Sequence, residues 1–268
     1  MTTQNIPFEK GIIFGPVRSR RLGRSLGINL LPSGTKCCTF DCVYCFFGST
    51  PEVTSDTVSQ RLPAFDEVTR AIDGVLSDIS VGRLEVDFIT FAGNGEPTLH
   101  PAYPAVVDHL LKGLHKLTRE IGTAIFTNGS RLGNAEVRRA TALLDQAIVK
   151  IDIVDKERFR QINRPRAKVE IEEIARNAAG LPNLRIQTAV MKINGNMIDA
   201  AALGYYCHLL KLASPLEVQL YNIIYPPAEA RIETVTVDEL ALVADKVRSK
   251  TGFNVVIYNE VEGSPDEA

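Results

Sequence analysis

Residues 26–45 read LGINLLPSGTKCCTFDCVYC. The first six are mostly apolar and predict a short strand at 26–31 that runs straight into a loop crowded with thiols. Four of the five cysteines, Cys37, Cys38, Cys42 and Cys45, fall within nine residues of that loop. In parallel α/β folds, functional groups stand on the loops that leave the C-terminal ends of strands. A strand emptying into such a loop predicts both a fold class and the place of a site.

Outward from this stretch the chain alternates. Phe65, Val68, Ile72, Val75, Leu76 and Ile79 have helical spacing, and residues 86–92 (VDFITFA) form a nearly continuous buried-strand run. Helices are expected at 104–118, 135–144, 169–179 and 198–212, separated by strands at 123–126, 147–153, 185–191 and 218–224. Thr236 and Glu239 have capping-box spacing before a further helix, and 253–258 reads as a last short strand. Six strand–helix units imply a parallel sheet with right-handed crossovers. Periodicity is compatible with an open partial barrel and with a doubly wound sheet.

At 268 residues, 45% apolar and 23% charged, the composition is that of an ordinary globular protein able to bury a large core. Thirty Lys and Arg against 32 Asp and Glu leave a net charge of −2, which excludes a polybasic nucleic-acid coat but not a local basic site. No apolar run approaches the about 18 residues of a membrane helix, so no membrane partner is expected. The start, MTTQNIPFEK, lacks a secretory pattern. A cytoplasmic location follows as an expectation, and there thiols stay reduced. Clustered cysteines in that setting point to a metal site.

Cys38, Cys42 and Cys45 are spaced by three and then two residues. Thiolates on so short a loop can share one iron–sulfur cluster, and three ligands to a four-iron cube leave one iron open. Cys37 reads as a packing residue, since adjacent side chains rarely reach the same cube. A zinc knuckle is the alternative; the chain has no second CxxC or HxxxH pair, although His100 or Cys207 could complete such a site across the fold.

The second strand ends in Gly93-Asn94-Gly95-Glu96-Pro97-Thr98. A glycine-rich turn lets backbone approach a ligand, and a carboxylate can bind an ammonium; a plain βα turn is the other reading. Thr127-Asn128-Gly129 closes the third strand, and Lys150 and Asp152 share one face of the fourth. Such charges in an apolar strand are a buried ion pair or a functional pair. Gln187, Gln219, Tyr221 and Asn222 are weaker polar candidates on the following strands.

CxxxCxxC with Tyr44 before its last cysteine, placed directly after the first strand, resembles the radical S-adenosylmethionine (radical SAM) superfamily. Further stretches (GPVRSRRLGRSLGINLLP, GNGEPTLHP, RFRQINRP and YPPAE) are similar to the branch related to the wyosine tRNA-base synthases. The resemblance implies a partial (β/α)6 TIM-like barrel, and with it we expect a single domain over 1–258, the barrel at 26–224, a helix and strand at 236–258 packed alongside, and a disordered tail at 259–268. It also implies one [4Fe-4S] cluster on Cys38, Cys42 and Cys45. Gly93, Asn94, Gly95 and Glu96 would hold the methionine end of S-adenosylmethionine, with Tyr44, Thr127, Asn128, Lys150, Asp152 and Gln187 completing its pocket. Wyosine synthases carry a second cluster; with only Cys37 and Cys207 left over, this chain lacks the ligands for one.

The chemistry so implied is reductive cleavage of S-adenosylmethionine to methionine and a 5′-deoxyadenosyl radical that takes hydrogen from a substrate, a nucleoside, tRNA or small metabolite. A low-potential electron donor of the flavodoxin or ferredoxin type would be the partner. A glycyl-radical activating enzyme is the alternative enzyme, and a metal-binding or electron-carrier protein the alternative outside catalysis. A carrier has no need of a GNGE turn or six βα units. Arg18, Arg20, Arg21 and Arg24 form one dense basic patch that suits either a phosphate-bearing partner or a solvated loop.

Overall fold

The computed structural model describes residues 7–51, 62–166, 168–197 and 199–259; the expected tail beyond 259 lies outside them. Strand β2 (Gly23–Ile28) pairs in parallel with β3 (Phe88–Phe91), and β4 (Gly122–Thr127), β5 (Gln146–Lys150), β6 (Leu184–Ile193) and β7 (Glu217–Asn222) follow in sequence order, all parallel. Strand order never reverses, whereas a doubly wound sheet grows both ways from its first strand. The sheet is therefore an open partial barrel, as the resemblance implies.

Helices α1 (Phe65–Ser80), α2 (Tyr103–Leu114), α3 (Ala135–Ala142), α4 (Ile171–Ala178), α5 (Ala200–Ala213) and α6 (Val237–Thr251) follow the strands. Each turns one apolar stripe to the sheet. In α1 the buried residues are Val68, Ile72, Leu76 and Ile79, three or four apart, and they join Leu26, Ile28, Ile89 and Phe91 in the core. The expected capping box is present in α6: Glu239 N donates to Thr236 Oγ1 at 3.2 Å, and Thr236 N to Glu239 Oε2 at 2.8 Å, a pairing worth about 1 kcal/mol. Among the described residues no helix is long and apolar enough to cross a membrane.

Four features depart from the expected elements. The first parallel strand occupies 23–28 rather than 26–31, because Asn29 folds back on its own backbone: Nδ2 donates to Leu31 O at 3.0 Å and Oδ1 accepts from Leu31 N at 3.2 Å. An extra strand, β1 (Ile13–Ser19), forms an antiparallel hairpin with β2; its alternation is broken by a register shift between Phe14 and Val17. A short strand, β8 (Ile232–Thr234), pairs antiparallel with the end of β6. The last strand, β9 (Val255–Tyr258), does not pack beside the barrel but extends it, in parallel with β7.

The hairpin also divides the basic patch. Arg24 faces away to Asp87 and Glu85: its backbone N–H and Nη2 reach Asp87 at 2.8 and 2.9 Å. The Arg24 side chain and backbone hold the Asp87 carboxyl down, from 3.8 to about 2. A depressed carboxyl stabilises the fold above its unfolded pKa, and that contribution disappears as pH falls through the folded value. Acid titration should therefore show stability falling between pH 3.8 and about 2, and Asp87→Asn should flatten that limb when urea midpoints are compared at pH 5 and pH 2.5.

Candidate active site

Because β2 to β7 run in parallel, their C-terminal ends gather the cysteine loop, the GNGE turn, Asn128, Asp152 and the end of β6 on one rim. The first two are joined main chain to main chain: Cys37 N donates to Asn94 O at 2.8 Å, and Glu96 N to Cys37 O at 2.9 Å. Gly95 makes this possible. It sits at φ 142°, and a Cβ there would lie 1.9 Å from Cys37 O. Gly93, at φ 127°, likewise lies against Asn29, where a Cβ would stand 2.4 Å from Oδ1.

Glu96 is the centre of the turn and 1% exposed. Oε1 accepts from Thr98 N (3.2 Å), Thr98 Oγ1 (2.5 Å) and Thr127 Oγ1 (2.7 Å); Oε2 accepts from Asn128 N (2.7 Å). Burial raises its pKa, against the pull of those donors. Among the described residues no Lys, Arg or His forms an ion pair with it. Asn128 ties this carboxylate to the cysteine loop, since its Nδ2 donates to Thr39 Oγ1 at 2.8 Å and to Cys38 Sγ at 3.5 Å.

Asn94 differs from the expected contact residue. Its N–H donates to Asn29 Oδ1, its carbonyl accepts from Cys37, its Oδ1 accepts from Glu9 N, and its Nδ2 donates to Glu9 O and Pro32 O. Every polar group is engaged within the protein, so Asn94 clamps the N-terminal segment and the loop onto the turn.

The cysteine side chains divide as well. Cys37 is buried, 3% exposed, and desolvation pushes its thiol up to about 11. Cys38, Cys42 and Cys45 are partly exposed and neighbour one another in series, Cys38 with Cys42 and Cys42 with Cys45. Burial, Glu96 and Cys42 raise the Cys38 thiol; burial, Asp152 and Cys45 push Cys42 up to about 11. Asp41 pins the loop by accepting from Thr50 N at 2.6 Å.

Asp152 lies beyond the end of β5, not within it, and is 2% exposed. Its Oδ1 takes Lys150 Nζ at 3.1 Å and Ala189 N at 3.0 Å, while Oδ2 takes Tyr44 OH and Asn163 Nδ2, the latter at 2.7 Å. Burial works against the Lys150 charge, but the pull of Asp152 outweighs it and the pKa is raised. A buried charge left without its partner costs about 3–5 kcal/mol, so each holds the other in place. Lys150 Nζ also donates to Tyr221 OH at 2.6 Å. Gln187 is the register partner of both Lys150 and Gln219, which places it on the same interior face.

Asn163 is a site residue that spacing did not single out, although RFRQINRP contains it. It lies in a short helical segment, residues 156–163, that closes on Arg164 at φ 45°. From there Nδ2 reaches Cys42 Sγ (3.6 Å), Tyr44 OH (3.1 Å) and Asp152. A pocket of about 210 Å3 opens beside it, lined by Asp152, Ile153, Val154, Ile162, Ala189 and Met191 among others. His100 takes no part in the rim: Nε2 meets Pro63 O and Nδ1 accepts from Ala102 N. Cys207 is packed in the core on α5.

This chain belongs to the radical SAM superfamily, whose family model matches residues 33–199, from the cysteine loop to the start of α5. Among relatives, it is 34% identical to a UPF0026 protein of Synechocystis sp. over 82% of this chain and 79% of that protein. TYW1 with a lysine–pyruvate adduct bound has the same fold, at a TM-score of 0.57 and 16% identity over 91% of this chain and 78% of the other. SuiB of Streptococcus suis bound to S-adenosylmethionine matches at 0.59 and 12%, over 88% of this chain and 50% of that one. The protein is thus an enzyme of a superfamily that works with an iron–sulfur cluster and S-adenosylmethionine.

Proposed function

We propose that this enzyme reductively cleaves S-adenosylmethionine at a single [4Fe-4S] cluster held by Cys38, Cys42 and Cys45. The donor set fits. Three thiols on one short loop, Cys38 neighbouring Cys42 and Cys42 neighbouring Cys45, are the ligand type and number that leave one iron of a four-iron cube open. Desolvation and neighbouring negative groups raise the thiols of Cys38 and Cys42, and iron would supply the positive charge that offsets this. Bound there, the cluster supplies the electron that splits the sulfonium into methionine and a hydrogen-abstracting 5′-deoxyadenosyl radical.

The observation that carries this reading is Glu96. A carboxylate buried without a counter-cation calls for a cationic ligand, and the main-chain zipper sets this one beside the thiols. The ammonium of S-adenosylmethionine is that cation, received on the side of Oε2 where only Asn128 N donates. Thr127 and Asn128 hold the carboxylate in place, and Gly93, Asn94 and Gly95 shape the turn around the methionine. The pocket beside Asp152 takes the adenosine; Tyr44 and Lys150, both bonded to Asp152, and Gln187, the register partner of Lys150, stand behind that carboxylate and fix it there. One-electron reduction would come from a flavodoxin- or ferredoxin-type donor. A nucleic acid or a smaller molecule is the hydrogen donor in the barrel.

Anaerobic reconstitution with iron and sulfide, reduction and addition of S-adenosylmethionine test the reading. Expected are about four irons per chain and equal amounts of methionine and 5′-deoxyadenosine by liquid chromatography. Stoichiometric zinc with no cleavage product would sink it.

A further inference from the structure

Glu96 has an opposite number. Arg21 stands at the tip of the β1–β2 hairpin, where Ser19 Oγ accepts from the N–H groups of Arg21 and Leu22. Its side chain crosses the open side of the barrel to the other edge of the sheet. The guanidinium carbon lies 5.4 Å from the ring centre of Tyr221 and 4.3 Å from that of Tyr258, register partners on β7 and β9. On Tyr221 it is joined by Lys150, whose Nζ is 4.6 Å from the ring centre. The two cations differ in one respect. Lys150 has Asp152, whereas among the described residues no carboxylate forms an ion pair with Arg21.

Two donors of Arg21, Nε and Nη2, are buried without any hydrogen-bond partner. These form the side-on fork of a guanidinium, the pair that grips two oxygens of one carboxylate or phosphate. The rings of Tyr221 and Tyr258 hold the group in place yet supply no acceptor to this edge. Glu217 is the carboxylate whose field reaches Arg21, and its Oε1 already accepts from Gln219 Nε2 at 2.8 Å. The Oε1 atom of Gln219, two residues from Tyr221 on the same face of β7, is also buried without a partner. Buried donors left unsatisfied are costly to keep, so a fold that retains two on one guanidinium is matched to a ligand that fills them.

We propose that Arg21 anchors an oxyanion of the substrate, a carboxylate or a phosphate, through Nε–H and Nη2–H, across the barrel from the cysteine loop. The proposal rests on the radical reading for what the anchored molecule does, but not for its binding. The string Arg21, Tyr221, Lys150, Asp152, Tyr44 leads from the anchor to the cluster loop, so a molecule held there lies within the barrel that the radical would enter.

Thermal melting of the full chain, before and after cluster assembly, in rising inorganic phosphate or acetate tests the anchor. At least one anion should raise the melting temperature saturably; the tighter of the two tells a phosphorylated substrate from a carboxylic one. Arg21→Gln should weaken that binding about 10-fold or more. Arg21→Lys keeps a charge over the rings but not the fork, and should weaken it comparably even where the glutamine variant fails to fold. Arg166→Gln, in the basic groove beside the cysteine loop, should leave it unchanged. Wild-type affinity in Arg21→Lys, equal loss in Arg166→Gln, or no saturable binding of either anion overturns the proposal. Anion binding without cleavage of S-adenosylmethionine would overturn the radical reading alone.

Discussion

Replacing Cys42 by alanine is expected to abolish cluster assembly and cleavage of S-adenosylmethionine, whereas Cys37→Ala should keep at least about a third of both, since its loss is confined to packing worth about 1–2 kcal/mol. The two thiols are both pushed up to about 11, by burial in each case, so acidity does not separate them. Their surroundings do. Cys42 lies between Cys38 and Cys45 and touches Asn163, while Cys37 turns its side chain into the interior and lends only its main chain to the turn. Any side chain of similar size leaves the main-chain bonds Cys37 N→Asn94 O and Glu96 N→Cys37 O intact. Iron content, the visible absorption of the reconstituted protein and 5′-deoxyadenosine yield measure the contrast. Equal loss in both variants would show that the ligand assignment is wrong.

The same contrast shows what could be read before folding. Periodicity placed α1 and the strand after it because buried residues recur on one face, and the pairing of Thr236 with Glu239 was local enough to be read from spacing. The strand–cysteine loop–glycine turn order placed the rim, because parallel topology sends every strand end to one side. What could not be read depends on direction. Asn94 sits in the middle of the glycine-rich turn, yet its side chain turns to Glu9 and Pro32, a choice made by segments more than sixty residues away in sequence. Asn163 approaches Cys42 because its helical segment is bonded main chain to main chain with the cysteine loop, Val43 N to Ile162 O and Asp41 N to Asn163 O. Arg21, one of four arginines within seven residues, is singled out by the opposite edge of the sheet. Local chemistry thus gives the motif, and the barrel decides which of its side chains face the rim.

Gly95→Ala should be the most damaging change outside the thiols. The added Cβ would lie 1.9 Å from Cys37 O and 2.5 Å from Cys37 C, both main-chain atoms that cannot rotate away. The residue must also keep φ at 142°, a conformation that costs a non-glycine residue about 1–3 kcal/mol. Relief requires the turn and the loop to part, which breaks two main-chain hydrogen bonds at about 1 kcal/mol each and strips Glu96 of its fixed place beside the thiols. The sum, roughly 3–5 kcal/mol, is a large part of the 5–15 kcal/mol that holds a typical domain. Gly74→Ala provides the opposite case: it lies inside α1 with nothing within 4 Å of the new Cβ. There the same methyl should stabilise by about 0.5–1 kcal/mol through helix propensity. Urea midpoints and iron incorporation read the two side by side. An unchanged midpoint with full iron loading in Gly95→Ala would mean that the loop and the turn are not joined through Cys37, and the placement of Glu96 beside the cluster would lose its support.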